Sequence, residues 1–191
     1  MSSTETEEDD IALHGAMLLD LARRAIVTGF SGERLRIVPD DHPITLRGHR
    51  ASFVTLQRRG RLRGCIGSLE ARQSLVEDIA WNAFNAAFKD PRFPPLGAEE
   101  MSDTEVHLSV LSPPAPLPVD SEADLLRQLR PGVDGLILSE GARRSTFLPS
   151  VWAQLPAPAE FVRQLKLKAG LDAAHWSDTL SFQRYTTLAI P

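Results

Sequence analysis

Cys65 is the only thiol in a chain of 191 residues, and it sits inside the segment Arg63-Gly64-Cys65-Ile66-Gly67. A thiolate attacks electrophiles or binds metal, and a neighbouring arginine cation favours that ionised form. If residues 62 to 67 are extended, side chains alternate, so Arg63 and Cys65 share one face and Leu62 and Ile66 the other. Ile66 is expected to choose the core, leaving the thiol on the less buried side. Gly64 and Gly67 would let a substrate approach the backbone and its amides. The plainer alternative is a small buried hydrophobe, because free cysteine is among the most often buried residues. The five histidines, at 14, 42, 49, 107 and 175, are all distant from Cys65 in sequence. Only folding could bring one to the thiol as a base.

Two further groups carry charge in a useful pattern. Asp90-Pro91-Arg92-Phe93-Pro94-Pro95 places an acid and a base on a proline-stiffened loop, a frame suited to holding an anionic or polar ligand. Its bland counterpart is a structural turn with a local ion pair. Arginines 47, 50, 58, 59, 61 and 63 fall in a stretch, His42 to Leu69, that contains no acid. Such a run could track the phosphates of an RNA or a nucleotide, or could be a solvated strand face. Phe53 is the sole aromatic there, so no stacking platform accompanies it. Trp81, Phe84 and Phe88 lie at helical spacing and are expected in the core. There is no Walker loop, G-x-G-x-x-G fingerprint, H-E-x-x-H pair or G-x-S-x-G elbow, which removes the standard readings tied to them.

The elements that must position these residues can be read from periodicity. Residues 1 to 10 hold five acids (Glu5, Glu7, Glu8, Asp9, Asp10) and few hydrophobes, and are expected to be a disordered tail. Leu18, Leu21, Ala22, Ala25 and Ile26 recur at helical spacing and predict a helix over roughly 11 to 28. Ile44-Thr45-Leu46 and Ala51 to Gln57 read as short strands, Arg58 to Arg61 as a turn, and Leu62 to Gly67 as a third strand. Ser74-Leu75-Val76-Glu77 is a capping box opening a helix that Asp90-Pro91 stops. Val106 to Leu111 reads as a strand, and Ser121 to Arg130 as a short helix. Leu136 to Leu138 and Ser145 to Leu148 form a hairpin, Pro158 opens a helix ending at Ala169-Gly170, and Thr179 to Leu188 is a last strand. The order helix, hairpin, helix, strand thus occurs in residues 11 to 112 and again in 121 to 188, as two related halves would produce.

Composition sets the class. The hydrophobic fraction of 42% and charged fraction of 24% are ordinary for a globular protein with a substantial core. A net charge of -4 argues against a general polyanion binder. No stretch is apolar enough to cross a bilayer, and the start Met1-Ser2-Ser3 followed by acids is unlike a signal peptide, so a cytoplasmic location is expected. A lone cysteine excludes an internal disulfide and the three-cysteine cluster of a radical S-adenosylmethionine enzyme. No metal site and no cofactor are assigned to the chain.

Six segments together resemble the AMMECR-type domain family, protein A of the AmmeMemoRadiSam system. They are Leu62 to Gly67, Asp90 to Pro95, Ser109-Val110-Leu111-Ser112-Pro113, Gly132-Val133-Asp134-Gly135-Leu136, Leu148-Pro149 with Val151, and Lys168-Ala169-Gly170-Leu171 followed by Trp176. Their order and spacing match over about residues 12 to 188. The resemblance implies an α+β fold with a barrel-like mixed sheet built from two related halves. It also implies association with a Memo-like protein and a radical S-adenosylmethionine protein, and it specifies no reaction. His107 departs from the pattern, standing where many members carry Glu.

The expectation is therefore an acidic tail at 1 to 10 and one compact α+β AMMECR-type unit at 11 to 191. Cys65 and Arg63 are the catalytic candidates, and Gly64, Ile66, Gly67, Asp90, Arg92 and His107 the substrate-binding ones. The expected function is a substrate-binding or thiol-dependent component of a modification system. The alternative is a non-catalytic RNA- or protein-binding module using the basic segment 47 to 63, so whether the chain is an enzyme stays open.

Overall fold

Ser74 caps a core-facing helix by the mechanism its sequence predicts. Its hydroxyl accepts from the Glu77 amide while the Glu77 carboxylate accepts from the Ser74 amide, and the helix α3 runs Leu75–Phe88. The computed structural model describes residues 3 to 191, with side chains from Glu7 onward. The backbone divides into two units, one comprising the chain up to Ser112 with Leu188–Pro191, the other Pro113–Thr187.

In the first unit, helices α1 (Ser3–Leu13) and α2 (Gly15–Gly29) precede the hairpin of β1 (Ser52–Arg58) and β2 (Arg61–Gly67). Helix α3 and strand β3 (Thr104–Leu111) follow. The hairpin turns on Arg59 (φ 52) and Gly60 (φ 72). Two successive left-handed residues are the twist that a two-residue hairpin loop requires. The sheet order is β2-β1-β3-β8, where β8 is Thr187–Ile190, so β2 is an edge strand. Leu18, Leu21, Ala22 and Ile26 of α2, Ile79 and Ala83 of α3, and Val54, Leu56, Val106 and Leu108 of the sheet form one core. Each fully buried large aliphatic side chain there contributes about 1.5–3 kcal/mol.

In the second unit, α4 (Glu122–Gln128), the hairpin of β5 (Gly135–Glu140) and β6 (Arg143–Phe147), α5 (Pro158–Lys168) and β7 (Ser181–Tyr185) follow one another. Its sheet order is β4-β7-β5-β6, with β4 the two residues Ala115–Pro116. Trp152 stacks on Phe161 at 3.8 Å and donates its indole N–H to the Asp134 carbonyl at 2.7 Å, anchoring this core. The expected helix-hairpin-helix-strand repeat is present, and strand order repeats with it: β2-β1-β3 corresponds to β6-β5-β7. The fourth strand beside β3 is β8, which follows β7 in the chain, and the fourth strand beside β7 is β4, which follows β3. The fold is α+β with two four-stranded sheets, neither closed into a barrel.

Four local expectations are corrected. Residues 3 to 10, read as disordered, are helical in α1, held by Ile11, which is buried in the core, and by an ion pair from Glu7 to Arg50. Met1 and Ser2 lie outside the described residues. The helix expected over 11 to 28 is broken at His14, which lets α1 direct Ile11 inward. Ile44–Leu46 is a 3-10 turn rather than a strand, because its amides bond backward: Leu46 N–H to the Pro43 carbonyl and Arg47 N–H to the Ile44 carbonyl. The single last strand divides into β7 and β8, which join different sheets.

Candidate functional site

Strand register places three polar side chains in a row. Thr55 of β1 lies opposite Cys65 of β2 and, on its other side, opposite His107 of β3. The neighbouring positions Val54, Leu56, Val106 and Leu108 face the core, so the row lies on the opposite sheet face. Thr55 Oγ1 donates to Cys65 Sγ at 3.3 Å, and Cys65 is half-buried.

Asp90 and Arg92 reach the same cysteine from the loop after α3. Asp90 Oδ2 accepts the Cys65 N–H at 2.9 Å, and Arg92 Nη2 donates to the Cys65 carbonyl at 3.1 Å. Arg92 also bonds both Asp90 oxygens, at 2.9 and 2.7 Å. At Cys65 the edge strand therefore has its outward amide and carbonyl satisfied by side chains where another strand would otherwise dock. The Asp90 side chain is 1% exposed. The Arg92 hydrogen bond, followed by the Cys65 and Arg92 amides, holds its carboxyl well below the usual range against the opposing effect of burial. Arg92 is raised in turn, mainly by Asp90 and to a smaller extent by Cys65, so Arg92 is a cation in the thiol's surroundings.

Arg63 is engaged elsewhere. The β1–β2 register shifts between Leu56 and Gln57, which pair with Gly64 and Leu62, leaving Arg63 in a bulge outside strict alternation. Its Nε and Nη2 donate to Glu100 at 3.1 and 2.8 Å, and further donors reach the Pro94 and Pro95 carbonyls. The Arg63 bonds, then the Gly97 amide, lower the Glu100 carboxyl to about 2. Arg63 thus latches β2 to the loop beyond α3, and the alternation argument that paired it with Cys65 fails at the bulge.

The fold agrees with comparisons to known proteins. The AMMECR1 family model matches residues 19–190. The chain belongs to the AMMECR1 family. A protein of Methanothermobacter thermautotrophicus is 44% identical over 158 residues, covering 82% of each chain. One of Thermotoga maritima is 40% identical over 154 residues, covering 78% of this chain and 83% of its own. The crystal structure of the uncharacterized protein PH0010 from Pyrococcus horikoshii superposes with a TM-score of 0.80 at 34% identity, covering 92% of this chain and 89% of that one.

Within this AMMECR1 fold the two glycines of the cysteine segment have packing roles. A Cβ on Gly64 would lie 2.2 Å from the Ala86 carbonyl oxygen of α3, and one on Gly67 would lie 2.2 Å from the Phe53 ring. On the side where a side chain would project, each glycine is packed against the protein itself. Ile66 packs against the core, as alternation predicts. His107 Nε2 is buried without a hydrogen bond; Glu105 Oε2 lies 3.5 Å away, close enough for attraction only when the imidazole is protonated. Two strand spacings, roughly 10 Å, separate the His107 and Cys65 backbones, with Thr55 between them.

Among the arginine run, Arg47 pairs with Asp40, Arg50 with Glu7, Arg58 with Glu100 and Asp103, Arg59 with Asp103, and Arg63 with Glu100. The stretch without acids in sequence is matched by acids from elsewhere in space. Among the described residues no group of three or more His, Cys, Asp and Glu could hold a metal ion, and no helix is long and apolar enough to cross a membrane. Sequence reasoning missed Thr55 and Glu100. Thr55 carried only its strand parity as a signal, and Glu100 carried none.

Proposed function

We propose that this AMMECR1-family protein is a thiol-dependent substrate-binding component of a cytoplasmic modification system, acting with a Memo-like protein and a radical S-adenosylmethionine protein. The observation that carries the reading is convergence on Cys65: the Thr55 hydroxyl donates to its sulfur, and the Arg92 guanidinium is fixed beside it by Asp90. A cysteine attacks an electrophilic carbon as its thiolate. The Asp90 carboxylate is spent on Arg92 and the Cys65 amide, so the thiol proton leaves to solvent or to substrate. Arg92 is 54% exposed in its side chain, which leaves guanidinium surface to meet an anionic substrate group.

The alternative, a module using segment 47 to 63 for RNA or protein, has less support because most of its arginines already face carboxylates. The test is iodoacetamide alkylation of Cys65 across pH in the native and unfolded protein, together with turnover of the reconstituted system with Cys65→Ala and Cys65→Ser. Alkylation of the thiol in the native protein, with turnover lost in both variants, is the expected result. Protection of the thiol until unfolding, or full turnover with Cys65→Ala, would overturn the reading.

A further inference from the structure

The Arg92 guanidinium has one nitrogen left over. Its Nε and Nη2 clasp the two Asp90 oxygens at 2.9 and 2.7 Å, and Nη2 also donates to the Cys65 carbonyl at 3.1 Å. These bonds use the single hydrogen of Nε and both hydrogens of Nη2. Nη1 carries two more and donates to nothing among the described residues. The Asp90 side chain is 1% exposed and that of Arg92 54%, so the pair is a dipole with its carboxylate inside and its cation at the surface. The Asp90 hydrogen bond raises the Arg92 pKa against the effect of burial, and the Cys65 thiol adds a smaller increment of the same sign. The guanidinium thus answers to both the backbone and the sulfur of one residue.

Other acids near the strand are committed or distant. Glu100 is taken by Arg58 and Arg63, and Glu70, just past β2, holds Arg72. Glu105 stands beside His107 on β3, two strand spacings or roughly 10 Å from β2. The anion that meets Nη1 must therefore come from outside. Position limits its kind. Nη1 belongs to the planar group bonded to the carbonyl of the residue that bears the sulfur, so a charge on Nη1 and a carbon on the sulfur lie within a few bonds of each other. A carboxylate attached to the reacting carbon, or to its neighbour, spans that gap. One nitrogen instead of a free fork makes a point contact, which suits a carboxylate and leaves most acceptors of a phosphoryl group unbound.

We propose that Arg92 Nη1 is a subsite for a substrate carboxylate, so that the electrophile met by Cys65 is a small carboxylate whose reacting carbon carries that group or adjoins the carbon that does. This rests on the reading of Cys65 as the reacting thiol.

Iodoacetate and iodoacetamide are the probes, because one carries a carboxylate where the other carries a neutral amide. Each is attacked at its methylene carbon: the S–C bond to Cys65 forms, the C–I bond breaks with its electron pair leaving on iodide, and the thiol proton passes to solvent. Both reagents meet the same thiol at a given pH, so the ratio of their rates cancels its ionisation and reports charge preference alone. In the full native chain the iodoacetate-to-iodoacetamide ratio should stand about tenfold above that of the urea-unfolded chain, the lower end of electrostatic steering. It should fall as sodium chloride is raised, a reading that needs no substitution. Arg92→Gln should return the ratio to the unfolded value and Arg92→Lys should recover part of it, with circular dichroism checking that both variants fold. A native ratio equal to the unfolded one, or one retained in folded Arg92→Gln, while both reagents still label Cys65, would overturn the carboxylate subsite and leave the thiol reading standing. No labelling of native Cys65 by either reagent would overturn both.

Discussion

Asp90 Oδ2 accepts the Cys65 backbone N–H at 2.9 Å across 25 residues of chain, so the loop after α3 and the cysteine strand are one structure. The same carboxylate orients Arg92 onto the Cys65 carbonyl. What the sequence offers as two separate candidate segments is a single arrangement, with the acid buried and the base partly open to solvent.

Removing that acid has a defined cost. Asp90→Ala strands a Cys65 amide and frees Arg92, and should destabilise the protein by about 1–3 kcal/mol, the usual penalty for an unsatisfied buried donor. Urea unfolding measures it, and a midpoint equal to wild type would show that the edge strand does not depend on this cap.

Thr55→Val keeps shape while removing the hydroxyl donated to Cys65. Iodoacetamide alkylation at neutral pH should slow by roughly threefold to tenfold, the range of one neutral hydrogen bond. Arg92→Gln should slow it as well, whereas Arg63→Gln should leave the rate near wild type because Arg63 is bound to Glu100. A large loss from Arg63→Gln with no loss from Arg92→Gln would reverse the assignment of the relevant cation.

Acid should weaken the first unit through Glu100. Its folded carboxyl is lowered from 4.5 to about 2, so protons bind the unfolded form more readily. The stabilisation is fully present above 4.5 and is lost as pH falls from there through about 2. Asp90, also lowered, adds a loss of the same sign. Denaturation midpoints followed across this window should fall less steeply in Glu100→Gln than in wild type. Parallel curves would mean that the Arg63 latch contributes nothing to pH dependence.

Gly64→Ala should be among the more damaging single-methyl changes in the chain. The added Cβ meets the Ala86 carbonyl, a backbone atom in the last turn of α3, so strand and helix must separate. A cost of about 1–3 kcal/mol is expected from this overpacking. Thermal unfolding reads it, and an unchanged melting temperature would refute the close-approach role.

Much of the first unit was legible because the signals are local. Ser74 and Glu77 are three residues apart, Arg59-Gly60 forms its own turn, and the stripe from Leu18 to Ile26 repeats within a few helical turns. The order of elements, and with it the two related halves, follows from such signals in series. The position of Cys65 and Ile66 on opposite strand faces was legible for the same reason.

The rest required tertiary contacts. A bulge opposite Leu56 and Gln57 moved Arg63 out of register, and no residue within β2 announces it. Ile11 and Arg50 turned an acidic stretch into a helix from outside most of it. Trp81 follows the helical stripe in spacing but lies outside the buried surface, where Arg34 covers it from a loop far away in sequence. The sequence by itself determined the family, the elements and the residues available for chemistry, since these depend on interactions spanning a few positions. Which cation stands by the thiol, and which aromatic stays open, the tertiary structure decided, because those outcomes depend on groups tens of residues apart sharing one buried surface.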